Sequence, residues 1–266
     1  MVKEEPFIKN LLPNARGEYR ISNGDFDNGD FVAKERIQNV IRTKRNTICR
    51  IGAAAGGLLV CALGIHLTIL ANIGAAPWDT LCLGITRHLP LTYGTASLLV
   101  SVCVLGVDLL LKERIGVGTV LDAVLTGKAV DFYRWLDWIP HPQQLTGKIA
   151  CMVLGMLIIA VGQWLYMRTG LGCGPRDSLL LALGKRARRL PIGAVNGALL
   201  LAVLTVGWLL SGPIGLGTVL TALGLGPAMQ LVFRAVRFEP RNVAQEDLVQ
   251  TLRGLTASFK ERPAGS

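Results

Sequence analysis

Between residues 51 and 238 the chain alternates long apolar runs with short breaks that fall on glycine, proline or charged residues. Runs at 51–71, 94–111, 119–136, 148–168, 193–210 and 218–236 read as helices. Each approaches the ~20 residues needed to cross roughly 30 Å of hydrocarbon. Two segments between them, 78–89 and 176–190, are too short. At 1.5 Å per residue a twelve-residue helix reaches only about 18 Å. They read as half-helices that enter the membrane and are buried against protein. Gly127 and the Gly226–Pro227 pair fall at matching places in their helices, where a break or kink is expected.

The pattern occurs twice. Ile73-Gly-Ala-Ala-Pro-Trp-Asp-Thr-Leu81 matches Leu171-Gly-Cys-Gly-Pro-Arg-Asp-Ser-Leu179, and Ile115-Gly-Val-Gly-Thr-Val-Leu121 matches Ile214-Gly-Leu-Gly-Thr-Val-Leu220, at offsets of 98 and 99 residues. Such self-similarity marks an internal duplication. Each half holds three spans and one short re-entrant helix, and an odd number of spans makes the halves antiparallel. The expected fold is therefore an all-α polytopic membrane protein built as an inverted repeat. Its parts are a polar cytoplasmic tail with a basic lead-in (1–50), repeat 1 (51–140), repeat 2 (141–238) and a second polar tail (239–266).

Composition agrees. Hydrophobic residues make up 51% of the 266 and charged residues only 17%, against about 25% in soluble domains. Seven of the 18 acidic residues lie between 51 and 238. The net charge of +10 sits at membrane edges: Lys34, Arg36, Arg42, Lys44, Arg45 and Arg50 precede the first run, and Lys185, Arg186, Arg188 and Arg189 form a second cluster. Basic flanks set orientation and meet anionic lipid. No aromatic residues interleave the clusters, so nucleic-acid binding is not expected. Six spans place eight basic residues of the connecting segments inside and three outside; eight spans place seven and four. The bias leans towards six, with both termini cytoplasmic in a bacterial inner membrane. Residues 1–33 lack an apolar leader, and Phe31, Val32, Ile37, Val40 and Ile41 give the lead-in an apolar face suited to the membrane surface.

In Gly-x-x-Pro-x-Asp, proline suits the first helical position. Asp79 and Asp177 then fall third, where a carboxylate meets free N–H groups and the positive end of the dipole. One reading is a capped half-helix. The other is that both acids, with Thr80 and Ser178 beside them, face one another near the midplane and mark an ion or substrate pathway. Gly74, Pro77, Gly172 and Pro175 shape these loops. Gly116, Gly118 and Thr119, with Gly215, Gly217 and Thr218, read as tight turns whose threonine caps the next helix. The halves differ at Trp78 against Arg176 and at Asp122 against Thr221. Local pairs are the simplest expectation elsewhere: Arg176 with Asp177, Lys128 with Asp131, and Asp108 with Lys112. His66 reads as a hydrogen-bonded packing residue. The six cysteines are scattered and indicate neither disulfides nor zinc. No catalytic, metal or cofactor signature is present, so an enzyme is not expected.

The Gly-x-x-Pro-Trp-Asp-Thr-Leu element at 74–81, Tyr93-Gly94 and the Gly-x-Gly-Thr turn at 116–119 resemble the YczE/YyaS/YitT group of bacterial integral membrane proteins, nearest to the YczE branch. The resemblance covers roughly 50–236 and implies an inner-membrane protein. It supplies no activity, although a regulatory role in secondary-metabolite production is associated with YczE-type members. The second copy departs from the motif at Arg176. The expected function is a small secondary transporter or exporter of a small polar substrate or ion, with Asp79, Asp177, Thr80 and Ser178 at its site and Asp122 and Arg176 as asymmetric partners. The alternative is a membrane regulator that binds a cytosolic partner through the cluster at 185–189. A polar cavity between the halves would favour transport, and a solid apolar interior would favour regulation.

Overall fold

The computed structural model describes residues 47–113, 115–187 and 191–239. The amphipathic lead-in, the C-terminal tail beyond Glu239, and Arg188 and Arg189 of the basic cluster lie outside them. The described residues form eight helices and no strand: α1 Thr47–Leu70, α2 Pro77–His88, α3 Tyr93–Leu110, α4 Val117–Leu136, α5 Leu145–Met167, α6 Pro175–Arg186, α7 Ile192–Leu209 and α8 Leu216–Ala235. The boundaries follow the apolar runs, and the second short helix stops at Arg186 because its basic end leaves the apolar interior. Four helices are long and apolar enough to cross a membrane: α1 from Cys49, α3, α5 and α8. α7 is apolar but shorter, and α4 carries Asp122, Lys128, Asp131 and Arg134 along its 20 residues. Leu110, Trp135, Trp208, Leu209 and Leu223 project outward. An apolar exterior of this kind is the surface that lipid covers.

α1 and α5 make the most extensive helix contact. It rests on glycine, whose missing side chain lets backbones approach. A Cβ on Gly64 would lie 2.7 Å from the Gly155 carbonyl oxygen, and one on Gly162 would lie 2.8 Å from that of Gly57. Rising numbers on α1 meet falling numbers on α5, so the two run antiparallel. Arg50 closes the pair, donating to the Thr169 carbonyl from Nε and Nη2 at 3.0 and 2.8 Å.

The repeated motifs do not dock within their own halves. Gly118 N donates to the Leu171 carbonyl at 2.8 Å, and Gly217 N donates to that of Ile73 at 2.7 Å. Each Gly-x-Gly-Thr turn thus receives the Gly-x-x-Pro loop of the other half. Gly74 (φ +113°) and Gly172 (φ +117°) make the approach possible, since a Cβ would meet Gly215 N at 2.7 Å and Gly116 Cα at 2.9 Å. Thr119 and Thr218 accept from the N–H groups of Gly116 and Gly215, both at 3.3 Å, as capping residues should. Thr119 Oγ1 also donates across to the Cys173 carbonyl at 2.5 Å.

The short helices cross over as well: α2 packs on α7 and α6 on α3. α4 and α8 run unbroken through Gly127 and Pro227. Gly127 has another use, for it packs against the Gly94 backbone and joins α3 to α4. Lys128 and Asp131 do not pair there. Asp131 accepts from Gly94 N at 2.9 Å and Lys128 donates to Thr95 Oγ1 at 3.3 Å, so both serve the start of α3.

Candidate functional site

α2 and α6 each begin with proline at the first helical position and aspartate in the first turn. Asp79 does not act as a simple cap. Its carboxylate is buried, accepts from the Tyr93 hydroxyl at 2.8 Å, and lies 3.7 Å from the Arg176 guanidinium. Arg176 therefore pairs across the two short helices rather than with its neighbour Asp177. Adjacent residues on a helix point about 100° apart and do not face each other. The same guanidinium sits 5.3 Å above the Trp78 ring. Trp78 and Arg176 occupy equivalent positions of the repeat, and the fold brings them face to face.

Asp122 projects from α4 and accepts from Thr126 Oγ1, one turn on, at 2.6 Å. Its other oxygen stands 2.6 Å from where a Cβ on Gly174 would be, and an Asp177 oxygen stands 3.9 Å from the same point. Asp177 thus faces Asp122 and the Gln163 amide of α5. Asp79 has its own partners, the Tyr93 hydroxyl and the Arg176 guanidinium. All three carboxylates lie within electrostatic reach of Arg176. One guanidinium serves three acids drawn from α2, α4 and α6.

These groups are set deep among the helices, yet Asp122, Arg176 and Asp177 keep accessible surface, and the Arg176 side chain is 29% exposed. The interior at this point is polar. The expected site residues divide accordingly. Asp79, Asp122, Arg176 and Asp177 come together. Thr80 does not join them, because its hydroxyl donates to the carbonyls of Ala75 and Pro213 and ties the start of α2 to the loop before α8. Ser178 turns towards Asp108 instead.

Several participants were not singled out from sequence. Gln163 and Tyr166 are polar positions inside an otherwise apolar α5, a visible signal. Tyr166 is buried, its hydroxyl has no hydrogen-bond partner, and it is in electrostatic reach of Asp122 and Asp177. Asp108 is fully buried with neither oxygen hydrogen-bonded, so the expected pair with Lys112 is absent. Lys112 falls past the helix end at φ 55°. His66 is buried beside the Tyr133 ring, and neither ring nitrogen finds a partner. No three His, Cys, Asp or Glu residues among those described converge as metal ligands.

Residues 48–234 match the family model described as a family of unknown function, DUF6198. The "uncharacterized membrane protein YczE" of Bacillus subtilis is 32% identical over 185 residues, which cover 69% of this chain and 85% of that protein. YyaS, an uncharacterized protein of the same organism, is 31% identical over 186 residues, 68% of this chain and 90% of its own. An uncharacterized protein of Haemophilus influenzae is 31% identical over 179 residues, 67% and 81% of the two chains. No solved structure matches. With an all-helical bundle, four helices apt for a bilayer and this extent of similarity, the chain belongs to the DUF6198 family and is a membrane protein of the YczE/YyaS type.

Proposed function

We propose that the protein is a small secondary transporter or exporter of the bacterial inner membrane, with its site where α2, α4 and α6 meet. The carrying observation is the charged cluster of Asp79, Asp122, Arg176 and Asp177, drawn from both halves of the sequence repeat. Ionisable groups inside a membrane bundle commonly line ion or substrate paths. Broken helices meeting at a repeat interface are where such sites are built. The architecture that goes with this reading is an inverted repeat of six spans and two re-entrant helices, with both termini cytoplasmic. The antiparallel α1–α5 pair and the crossed docking of the turns support it. Membrane lipid covers the exterior, and the substrate is a small polar molecule or ion.

The test is flux. Protein reconstituted into liposomes is screened for proton-coupled uptake or efflux of small polar metabolites, with Asp79→Asn and Asp177→Asn beside it. Both variants should express and fold but lose flux. Full transport by both would remove the carboxylates from the site. The alternative, a regulator with a cytosolic partner, draws on Lys185, whose side chain is 65% exposed. No flux from folded wild type, with capture of a defined partner lost on neutralising 185–189, would establish that reading in place of transport.

A further inference from the structure

Equivalent places in the two sequence copies differ in whether their polar groups are already used. Around the first Gly-x-x-Pro loop they are. The Asp79 carboxylate accepts from Tyr93 at 2.8 Å and lies 3.7 Å from the Arg176 guanidinium. The Thr221 hydroxyl donates to the carbonyls of Gly217 and Thr218 at 2.8 and 3.1 Å, and that of Thr68 to the Ile65 carbonyl at 2.8 Å. Ala76 stands before the proline. The second copy puts Asp177, Asp122, Tyr166 and Gly174 at these same four places. Since the first copy builds the same loop, turn and short helix without Asp122, Tyr166 and Gly174, the fold does not require them.

Around the second loop the polar groups are left over. Asp122 spends one oxygen on Thr126 Oγ1 at 2.6 Å. Its other oxygen lies 2.6 Å from where a Cβ on Gly174 would be, and an Asp177 oxygen lies 3.9 Å from the same point. Both acids therefore border the space that the glycine leaves. Among the described residues neither has an ion-pair partner within 4.0 Å, and Arg176 sets its guanidinium on Asp79 and over the Trp78 ring. Tyr166 is 1% exposed and its hydroxyl has no hydrogen-bond partner. That hydroxyl stands 2.9 Å from where a Cβ on Gly118 would be. Gly118 precedes Asp122 by one turn of α4, on the same face, a separation of about 5–6 Å. A buried hydroxyl in such a place needs a partner supplied from outside the chain.

We propose that the space beside Gly174 binds the ammonium head of a small protonated primary amine, which donates to Asp122, Asp177 and the Tyr166 hydroxyl. An ammonium group has three N–H donors and no acceptor, and these residues offer three acceptors with an excess of negative charge. Hard divalent cations take about six or more oxygens. The loop carbonyls that could complete such a shell are occupied, that of Leu171 by Gly118 N at 2.8 Å and that of Cys173 by the Thr119 hydroxyl. No three His, Cys, Asp or Glu residues among those described converge as metal ligands either. The proposal names the substrate class of the transport site. It rests on that reading for movement across the membrane, and not for binding.

The experiment melts the full-length protein in detergent at neutral pH with increasing methylamine, ethylamine or 1,4-diaminobutane hydrochloride. Sodium chloride and tetramethylammonium chloride at matched ionic strength run beside them. A ligand of the folded state raises the melting temperature with its concentration. At least one primary amine should do so for wild type and neither control should, because a quaternary ammonium has no N–H to donate. Asp122→Asn should weaken amine binding roughly tenfold or more, the scale of one hydrogen bond to a charged group, and Tyr166→Phe should weaken it severalfold. Ala76→Gly, at the equivalent place in the other copy, should bind as wild type does. If Asp122→Asn does not fold, Asp177→Asn and Tyr166→Phe carry the test. No stabilisation by any amine, equal stabilisation by the controls, or unchanged affinity in the folded variants would overturn the proposal. Flux of a neutral or anionic solute through wild type that binds no amine would overturn it and keep the transport reading. Amine binding without flux would end the transport reading and leave this one standing.

Discussion

Arg176 offers one positive charge to three carboxylates, which makes its removal and theirs unequal. Without it, Asp79 keeps the Tyr93 hydroxyl, and Asp122 and Asp177 lose the cation that, among the described residues, lies within their electrostatic reach. Taking one partner from a buried pair costs about 3–5 kcal/mol, so Arg176→Gln should fall in that range by thermal unfolding in detergent. Asp79→Asn leaves the guanidinium two other acids and leaves Tyr93 an amide oxygen to donate to. Its cost should be nearer 1 kcal/mol, the net worth of one ordinary hydrogen bond. Equal losses would mean that the Asp79–Arg176 contact is the only one that matters. Gly174 tests access more directly. Its φ of −60° suits any residue, so the one tight contact an alanine there would make is with the Asp122 oxygen at 2.6 Å. Gly174→Ala should keep the melting temperature close to wild type while lowering flux at least severalfold by displacing Asp122. A variant with wild-type flux would move the pathway away from that carboxylate. At this scale the sequence made the right residue types visible but not their partners. Nothing in Pro-Arg-Asp says that the arginine reaches over to the other short helix, because chain neighbours look like the nearest choice until two helix N-termini are brought together.

The crossed docking of the turns makes the loops structural keys as well as hinges for the short helices. At φ +117° an alanine at position 172 carries backbone strain of about 1–3 kcal/mol and also collides with Gly116. Gly172→Ala should therefore fail to give folded protein, judged by monodisperse elution in detergent. Thr119→Val loses both the cap and the bond to the Cys173 carbonyl, at about 1–2 kcal/mol, and should fold with a lower melting temperature. If Thr119→Val is neutral, the cross-half bond is not holding the turn. The short helices can be tested as elements too. α2, at 12 residues, is short for a bilayer, and the proposed six-span architecture has the segment joining it to α3 return to the face from which α2 entered. With Cys49 and Cys103, both exposed, changed to serine, a cysteine at exposed Pro90 should react with an impermeant thiol reagent from the periplasm. Reaction only from the cytoplasm would replace six spans by eight. Helix positions were legible because apolar runs, prolines and glycines punctuate them locally. Which turn receives which loop was not, since two copies of each motif fit equally well within a half or between halves. Asp108 was misread for a similar reason: i,i+4 spacing to Lys112 suggests a pair, but α3 ends between them.

At the scale of the molecule, the contacts repeat with the halves exchanged: α1 on α4 and α5 on α8, α2 on α7 and α6 on α3. The proposed inverted repeat would bring equivalent positions near its axis into contact, and Trp78 and Arg176 do lie 5.3 Å apart. Such a pair cannot be identical without a penalty, because two arginines repel and two tryptophans leave the acids without a cation. The asymmetry extends outward. Asp122 has Thr221 as its counterpart, and Gly94 packs on Gly127 where Gly193 and Gly226 meet nothing. Exchanging the pair asks how far the symmetry goes. Arg176→Trp alone should be strongly destabilising, and Trp78→Arg alone should crowd two guanidinium groups. In the double variant the new arginine would occupy the mirrored position, where Asp177 takes the place of Asp79. The double variant should then be more stable than the sum of the single losses by roughly 1–3 kcal/mol, the coupling typical of residues in contact. Flux should not return with stability, because Asp122 stays in the first half and nothing replaces it in the second. Additive losses would show that the two positions do not communicate and would remove the axis from the proposed architecture. Recovery of flux as well would show that the site tolerates its charge on either short helix and that Asp122 is dispensable to transport.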